Sequence, residues 1–196
     1  MNRKYGIFIF LGVLVAVGII FVAYKYGYTF LQQSQEKDSE WLDVGDYIYL
    51  QGYYEKKEWT AWGEQWRRYN LDIKISVTKV QDYVYQFEVT MNGEKFDKKL
   101  ILDKSYNPWF EEWLLWIDPD NPDFWMKVVL IPPEILENAY KKYDFIYDIT
   151  YMDKPAWKVE SHNLVVIYEK SSGILLKIEY TGADQKINVV RTAARI

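Results

Sequence analysis

An N-terminal transmembrane helix followed by a mainly β domain is the architecture that this sequence predicts. Three patterns predict it: a 20-residue run without a charge near the N-terminus, stretches of apolar–polar alternation further on, and turn signals containing Gly between them. The expected domain is an antiparallel β meander, curled as a half-barrel or paired as a sandwich, with two short helices.

The uncharged run extends from Tyr5 to Tyr24. As a helix it would be about 30 Å long, the thickness of a bilayer's hydrocarbon core. It has no polar stripe of the kind a soluble helix carries. Tyr5, Tyr24, Tyr26 and Tyr28 stand at its ends, where amphipathic rings favour the headgroup zone. Arg3 and Lys4 precede it, and Lys25 and Lys37 follow. This bias predicts a single pass with a cytoplasmic N-terminus and an extracytoplasmic C-terminal domain. No small-x-small cleavage pattern lies near Ala23, which argues against a cleaved secretory signal. Gly12 and Ala16 form a small-xxx-small pair that would let two anchors pack closely, or are ordinary small anchor residues. The chain thus divides into an anchor (1–30), a polar linker (31–40, with Gln32 to Glu40 wholly polar) and a domain (41–196).

Arg3-Lys4-Tyr5-Gly6 also resembles archaeal pilin-type leaders. The resemblance implies a cut after Gly6 that leaves Ile7 at the head of an assembly helix. The sequence departs from that pattern at Tyr5, where a charge is usual, and at Leu11, where bacterial pilins carry Glu.

In the domain, Leu71 to Thr78 alternates with period two, as does Tyr83, Tyr85, Phe87, Val89, Met91 after a turn near Gln81-Asp82. Asn92-Gly93 marks a hairpin, because both residues accept positive φ. Its return strand is expected from Lys95 to Leu102. Leu164–Tyr168 and Ile174–Tyr180 flank Ser171-Ser172-Gly173 as a second hairpin, and Lys186–Arg191 reads as a last strand. Asn107 with Pro108 predicts a helix to about Ile117, and Pro133 another to Lys142.

Composition excludes several functions. The chain has no Cys and one His, so thiolate metal sites, iron–sulfur clusters, disulfides and thiol nucleophiles are out. No cofactor is expected. Beyond residue 30, 21 basic side chains face 28 acidic ones, a net of −7 that disfavours nucleic acid. Aromatic residues reach 18%, with 18 Tyr and 9 Trp, and the aromatic-rich, Cys-free composition leans towards a thermophile.

Ile131-Pro132-Pro133-Glu134-Ile135-Leu136, then Trp157-Lys158-Val159, then Tyr168-Glu169-Lys170-Ser171-Ser172-Gly173-Ile174-Leu175-Leu176 resembles a set of uncharacterised membrane-anchored surface proteins of archaea. Glu169 stands where those proteins usually have Asp. The resemblance covers about the last 70 residues. It implies fold and location and brings no catalytic residues.

Two tryptophan trios are the candidate binding residues. Trp59, Trp62 and Trp66 recur at i, i+3, i+7, and Trp109, Trp113 and Trp116 at i, i+4, i+7. Either trio would share one helix face as a platform for a partner protein, sugar or lipid, with core packing as the competing reading. Gly63 interrupts the first trio, which leaves a strand edge or loop open for it. Asp118, Asp120 and Asp123 could bind Ca²⁺, but Pro122 takes a ligand position and the usual Gly and closing Glu are missing, so a solvated turn is the stronger reading and no metal is expected. Glu111 and Glu112 would diverge on a helix, and Ser161-His162 would point to opposite faces of a strand, so neither suggests catalysis.

The sequence therefore predicts a membrane-tethered, non-catalytic surface module. It would bind another envelope protein or associate with itself, with the lipid bilayer as its other partner. A pilin-like filament subunit and a carrier of hydrophobic or glycan ligands are the alternatives.

Overall fold

The computed structural model describes residues 41–102, 106–112 and 117–196. The chain separates into Met1–Glu40 and Trp41–Ile196. The predicted anchor, linker and pilin-type leader lie outside the described residues, as do Trp113 and Trp116. Among the described residues no helix is long and apolar enough to cross a membrane.

Among the described residues nine strands follow in chain order: β1 (Tyr47–Thr60), β2 (Gly63–Gln81), β3 (Val84–Met91), β4 (Glu94–Ile101), β5 (Ile146–Tyr151), β6 (Lys154–Ser161), β7 (Leu164–Glu169), β8 (Leu175–Thr181) and β9 (Gln185–Arg195). Between β4 and β5 come a single helical turn α1 (Trp109–Glu112) and two short helices, α2 (Pro122–Val129) and α3 (Pro133–Lys142). All the strands form one open antiparallel sheet, in the order β4-β3-β2-β1-β9-β8-β7-β6-β5. One sheet replaces the two that a sandwich would require. The order is a meander with one exception: the first strand pairs with the last, from Tyr47↔Arg195 to Lys56↔Gln185, with one register shift between Tyr49 and Leu50.

Alternation decides which face is buried. Leu50, Ile73, Val89, Val166, Ile178 and Val189, on six different strands, are all fully buried in one core. Trp125, Val128 and Val129 of α2 and Leu136 of α3 cover that face from the other side. Each such side chain contributes on the order of 1.5–3 kcal/mol by leaving water. The β4–β5 connection carries the helices from one edge of the sheet towards the other, so that α2 lies against β4 and α3 against β5.

The expected strands are present, with Asn92 and Gly93 at φ 50 and 91 in the β3–β4 turn. The helix expected from Pro133 is present, and most of the remainder of the one expected from Asn107 to about Ile117 lies outside the described residues. The described helical residues near Pro108 are Trp109–Glu112 alone. The acidic stretch at 118–123 opens a helix that the sequence reading did not anticipate. There the Asn121 side chain accepts from the Asp123 N–H at 2.9 Å, and Pro122 occupies the first turn. The apolar run behind it (Phe124, Trp125, Met126, Val128, Val129) is short, and a short apolar run reads equally as a strand.

A tryptophan-bearing hairpin arm as the candidate functional site

β1 and β2 pair along their whole length, from Tyr47↔Ser76 to Thr60↔Gly63. Their neighbours are shorter. β9 follows β1 only to Lys56, with one further bond from the Lys57 N–H to the Asp184 carbonyl, and β3 follows β2 only from Ile73. The far ends of β1 and β2 therefore project past the sheet as a two-stranded arm.

The tip of the arm is locally determined. Gly63 sits at φ 94, a conformation that side-chain-bearing residues rarely adopt. The Thr60 hydroxyl donates to the Gly63 carbonyl at 2.9 Å and accepts from the Trp62 N–H at 3.1 Å. This turn presents Trp62 at 88% exposure and Trp59 at 82%. Trp66 is 40% exposed and lies directly opposite Lys57, so the two share a face. The Lys57 and Lys186 ammonium groups lie 5.5 and 4.4 Å from its ring centre. The trio thus lies on one hairpin, the strand alternative that Gly63 leaves open, and not on a helix face. Cross-strand pairing brings Trp66 back beside Trp59, which helical spacing is not needed to explain.

The root of the arm is tied by charge and stacking. On one face, Arg68 pairs with Glu55 at 2.7 Å and lies 4.0 Å over the Tyr53 ring. On the other, Tyr54 and Tyr69 stack with ring centres 4.9 Å apart. The Tyr54 hydroxyl donates to Asp120 at 2.5 Å, and the Tyr69 hydroxyl donates to Glu58, which also pairs with Arg67 at 3.2 Å. Burial first, and then the bond to Asp120, push the Tyr54 hydroxyl well above its ordinary pKa. The arm's base is held in place while its two outer indoles face water.

The other predicted positions fall elsewhere. Trp109 is 8% exposed and packs in the core, its indole N–H bonded to Tyr168. The three loop carboxylates turn to different partners: Asp118 accepts from the Asp120 N–H at 3.3 Å, Asp120 accepts from Tyr54, and Asp123 pairs with Lys98 at 2.7 Å. Their geometry is that of a capped helix entry. His162 is in the β6–β7 turn at φ 44, not within a strand, and the turn brings its Nδ1 to 3.4 Å from the Ser161 hydroxyl. This corrects the expectation that the neighbouring pair diverges. The contact is long, exposed and set by the turn. The side chains of Glu111 and Glu112 lie outside the described set.

One cluster has no sequence signal, because its members come from three separate segments. Glu169 at the end of β7 accepts from Lys154 at 2.6 Å, from Arg191 at 2.7 Å and from the Ser172 hydroxyl at 3.0 Å. Burial pushes the Glu169 carboxyl up, but the bonds from Lys154 and Arg191 outweigh it and hold it down at about 2. The Arg191 side chain is 7% exposed, and its Nη1 is buried without a hydrogen-bond partner. An orphaned donor of this kind costs roughly 1–3 kcal/mol, more where it is charged.

No family model matches this chain, and no curated protein matches it.

Proposed function

We propose that the chain is a membrane-tethered, non-catalytic module of the cell envelope that binds another protein through the β1–β2 arm. The exposure of Trp59 and Trp62 at the tip of a braced hairpin carries this reading. Indoles contribute little to stability when held in water, yet Trp, Tyr and Arg dominate the energetic centres of protein interfaces. The arm groups three Trp with Tyr53, Arg67 and Arg68. Its ordered base means that little conformational freedom is lost on docking. The uncharged run from Tyr5 to Tyr24 supports the tether.

The test places a photocrosslinking amino acid at Trp62 of the full chain in native membranes, with Tyr83, 55% exposed on a different turn, as the control position. A discrete adduct at 62 that is missing at 83 and lost in a W59A background supports the reading. An adduct with a second copy of this chain would make the partner the protein itself. Identical, diffuse labelling at both positions would sink it.

A further inference from the structure

Arg191 lines a groove of about 660 Å3 at the end of the sheet, together with Lys154, Glu169 and Ser172. We propose that this groove is a binding site for a small organic carboxylate with an apolar body, anchored on Arg191.

Three observations carry the proposal. The first is the orphaned guanidinium nitrogen. Nη2 of Arg191 donates to Glu169 at 2.7 Å, whereas Nη1 is buried and unpaired. Buried arginines normally have all their donors met, and a carboxylate oxygen is the partner whose geometry fits the guanidinium fork. The second is charge. Arg191 and Lys154 bring two cationic groups to a groove that Glu169 and Ile196 also line, and an incoming carboxylate can meet both of them. The third is the wall. Trp41, Leu176 and Ala193 line the same groove and offer an apolar surface to the rest of the ligand. Trp41 is fixed there, its indole N–H donating to the Ser172 carbonyl at 2.6 Å.

Nη1 is sealed from solvent, so an entering carboxylate must displace a neighbour slightly. The groove side chains with freedom to yield are Met152, which is 73% exposed, and Lys154, whose side chain is 49% exposed.

The experiment titrates 4-methylpentanoate into the full chain held in lipid nanodiscs, by calorimetry, with empty discs as the blank. The comparators are 4-methylpentanol, which keeps the tail without the charge, and acetate, which keeps the charge without the tail. Saturable binding of the acid, at least about tenfold weaker for both comparators and at least about tenfold weaker in R191K, is the expected result, because lysine cannot reproduce the planar fork. Equal binding of the alcohol, no binding of the acid, or unchanged affinity in a folded R191K overturns the proposal. Should R191K fail to fold by circular dichroism, M152E decides the question from an exposed turn position. A carboxylate introduced at the mouth weakens binding of the acid if the site is real, and unchanged affinity rejects it.

Discussion

The indole N–H of Trp109 donates to the phenolic oxygen of Tyr168 at 2.7 Å, and the Tyr168 hydroxyl in turn donates to the Val128 carbonyl, also at 2.7 Å. One fully buried hydroxyl on β7 therefore joins α1 to α2 through the core. Replacing Tyr168 with Phe keeps the ring and strands both partners. The expected loss is about 2 kcal/mol of unfolding free energy, read from urea denaturation. No loss would mean that the two partners find other bonds.

The exposed and buried indoles should respond in opposite ways. Trp59→Ala and Trp62→Ala each change stability by about 0.5 kcal/mol or less, since neither side chain leaves water on folding. Trp125→Ala, which empties a fully buried position whose N–H bonds the Pro119 carbonyl at 3.0 Å, costs about 3–5 kcal/mol. Thermal or urea melts of the three variants check this. A large cost at Trp59 or Trp62 would assign those residues a structural role and weaken the interface proposal.

Gly173 closes the β7–β8 hairpin at φ 66, and a Cβ there would come within 1.9 Å of the Ile131 carbonyl oxygen. That carbonyl belongs to the segment between α2 and α3, which is pinned to the hairpin by the bond from the Ile131 N–H to the Gly173 carbonyl at 3.2 Å. Gly173→Ala therefore meets both backbone strain and a clash with main-chain atoms. A loss of about 3 kcal/mol or more is expected, or failure to fold, measured by circular dichroism and denaturant titration.

Acid should weaken the domain through Glu169. Its folded pKa, about 2, lies below the ordinary value of 4.5. The stabilisation is therefore complete above pH 4.5 and disappears as the pH falls from there towards 2. On the order of 2 kcal/mol is at stake after allowing for solvent screening. Urea midpoints of the parent and of E169Q should differ at pH 7 and converge only as the pH falls to about 2. A gap that stays constant with pH would show that the carboxylate's charge is not the stabilising element.

Local chemistry accounts for what was legible in the sequence. The strand from Leu71 to Thr78, the Asn92-Gly93 turn, the Ser171-Ser172-Gly173 hairpin and the helix from Pro133 each carry their signal within a few residues, and the structure contains all four. The rest depends on partners distant in sequence. β1 is broken as a pattern by Gly52 and by the charged Glu55-Lys56-Lys57-Glu58, whose place in the sheet becomes clear only once β2 and β9 are beside it. β5 and β6 were not anticipated either; Asp148, Pro155 and Lys158 blur their alternation near the sheet's edge. The tryptophans at 59, 62 and 66 are legible as a group, but their i, i+3, i+7 spacing fits a helix face as well as a tight hairpin, and Gly63 is the one local sign that favours the strand alternative. The Glu169–Arg191 pair joins residues 22 apart through bonds that no sequence pattern marks.

The pairing of β1 with β9 makes the middle of the sheet the last part that can be completed. Residues 47–101 hold four strands that can pair as soon as they are synthesised, whereas the inner edge of β1 must wait for β9, about 85 residues further along. Until then that edge is an open template for any other strand, including the β1 of a neighbouring molecule. A stop codon or proteolytic cut within β9 would therefore not trim a margin. It would part the sheet along its centre and leave two meanders, each with a raw edge facing the other.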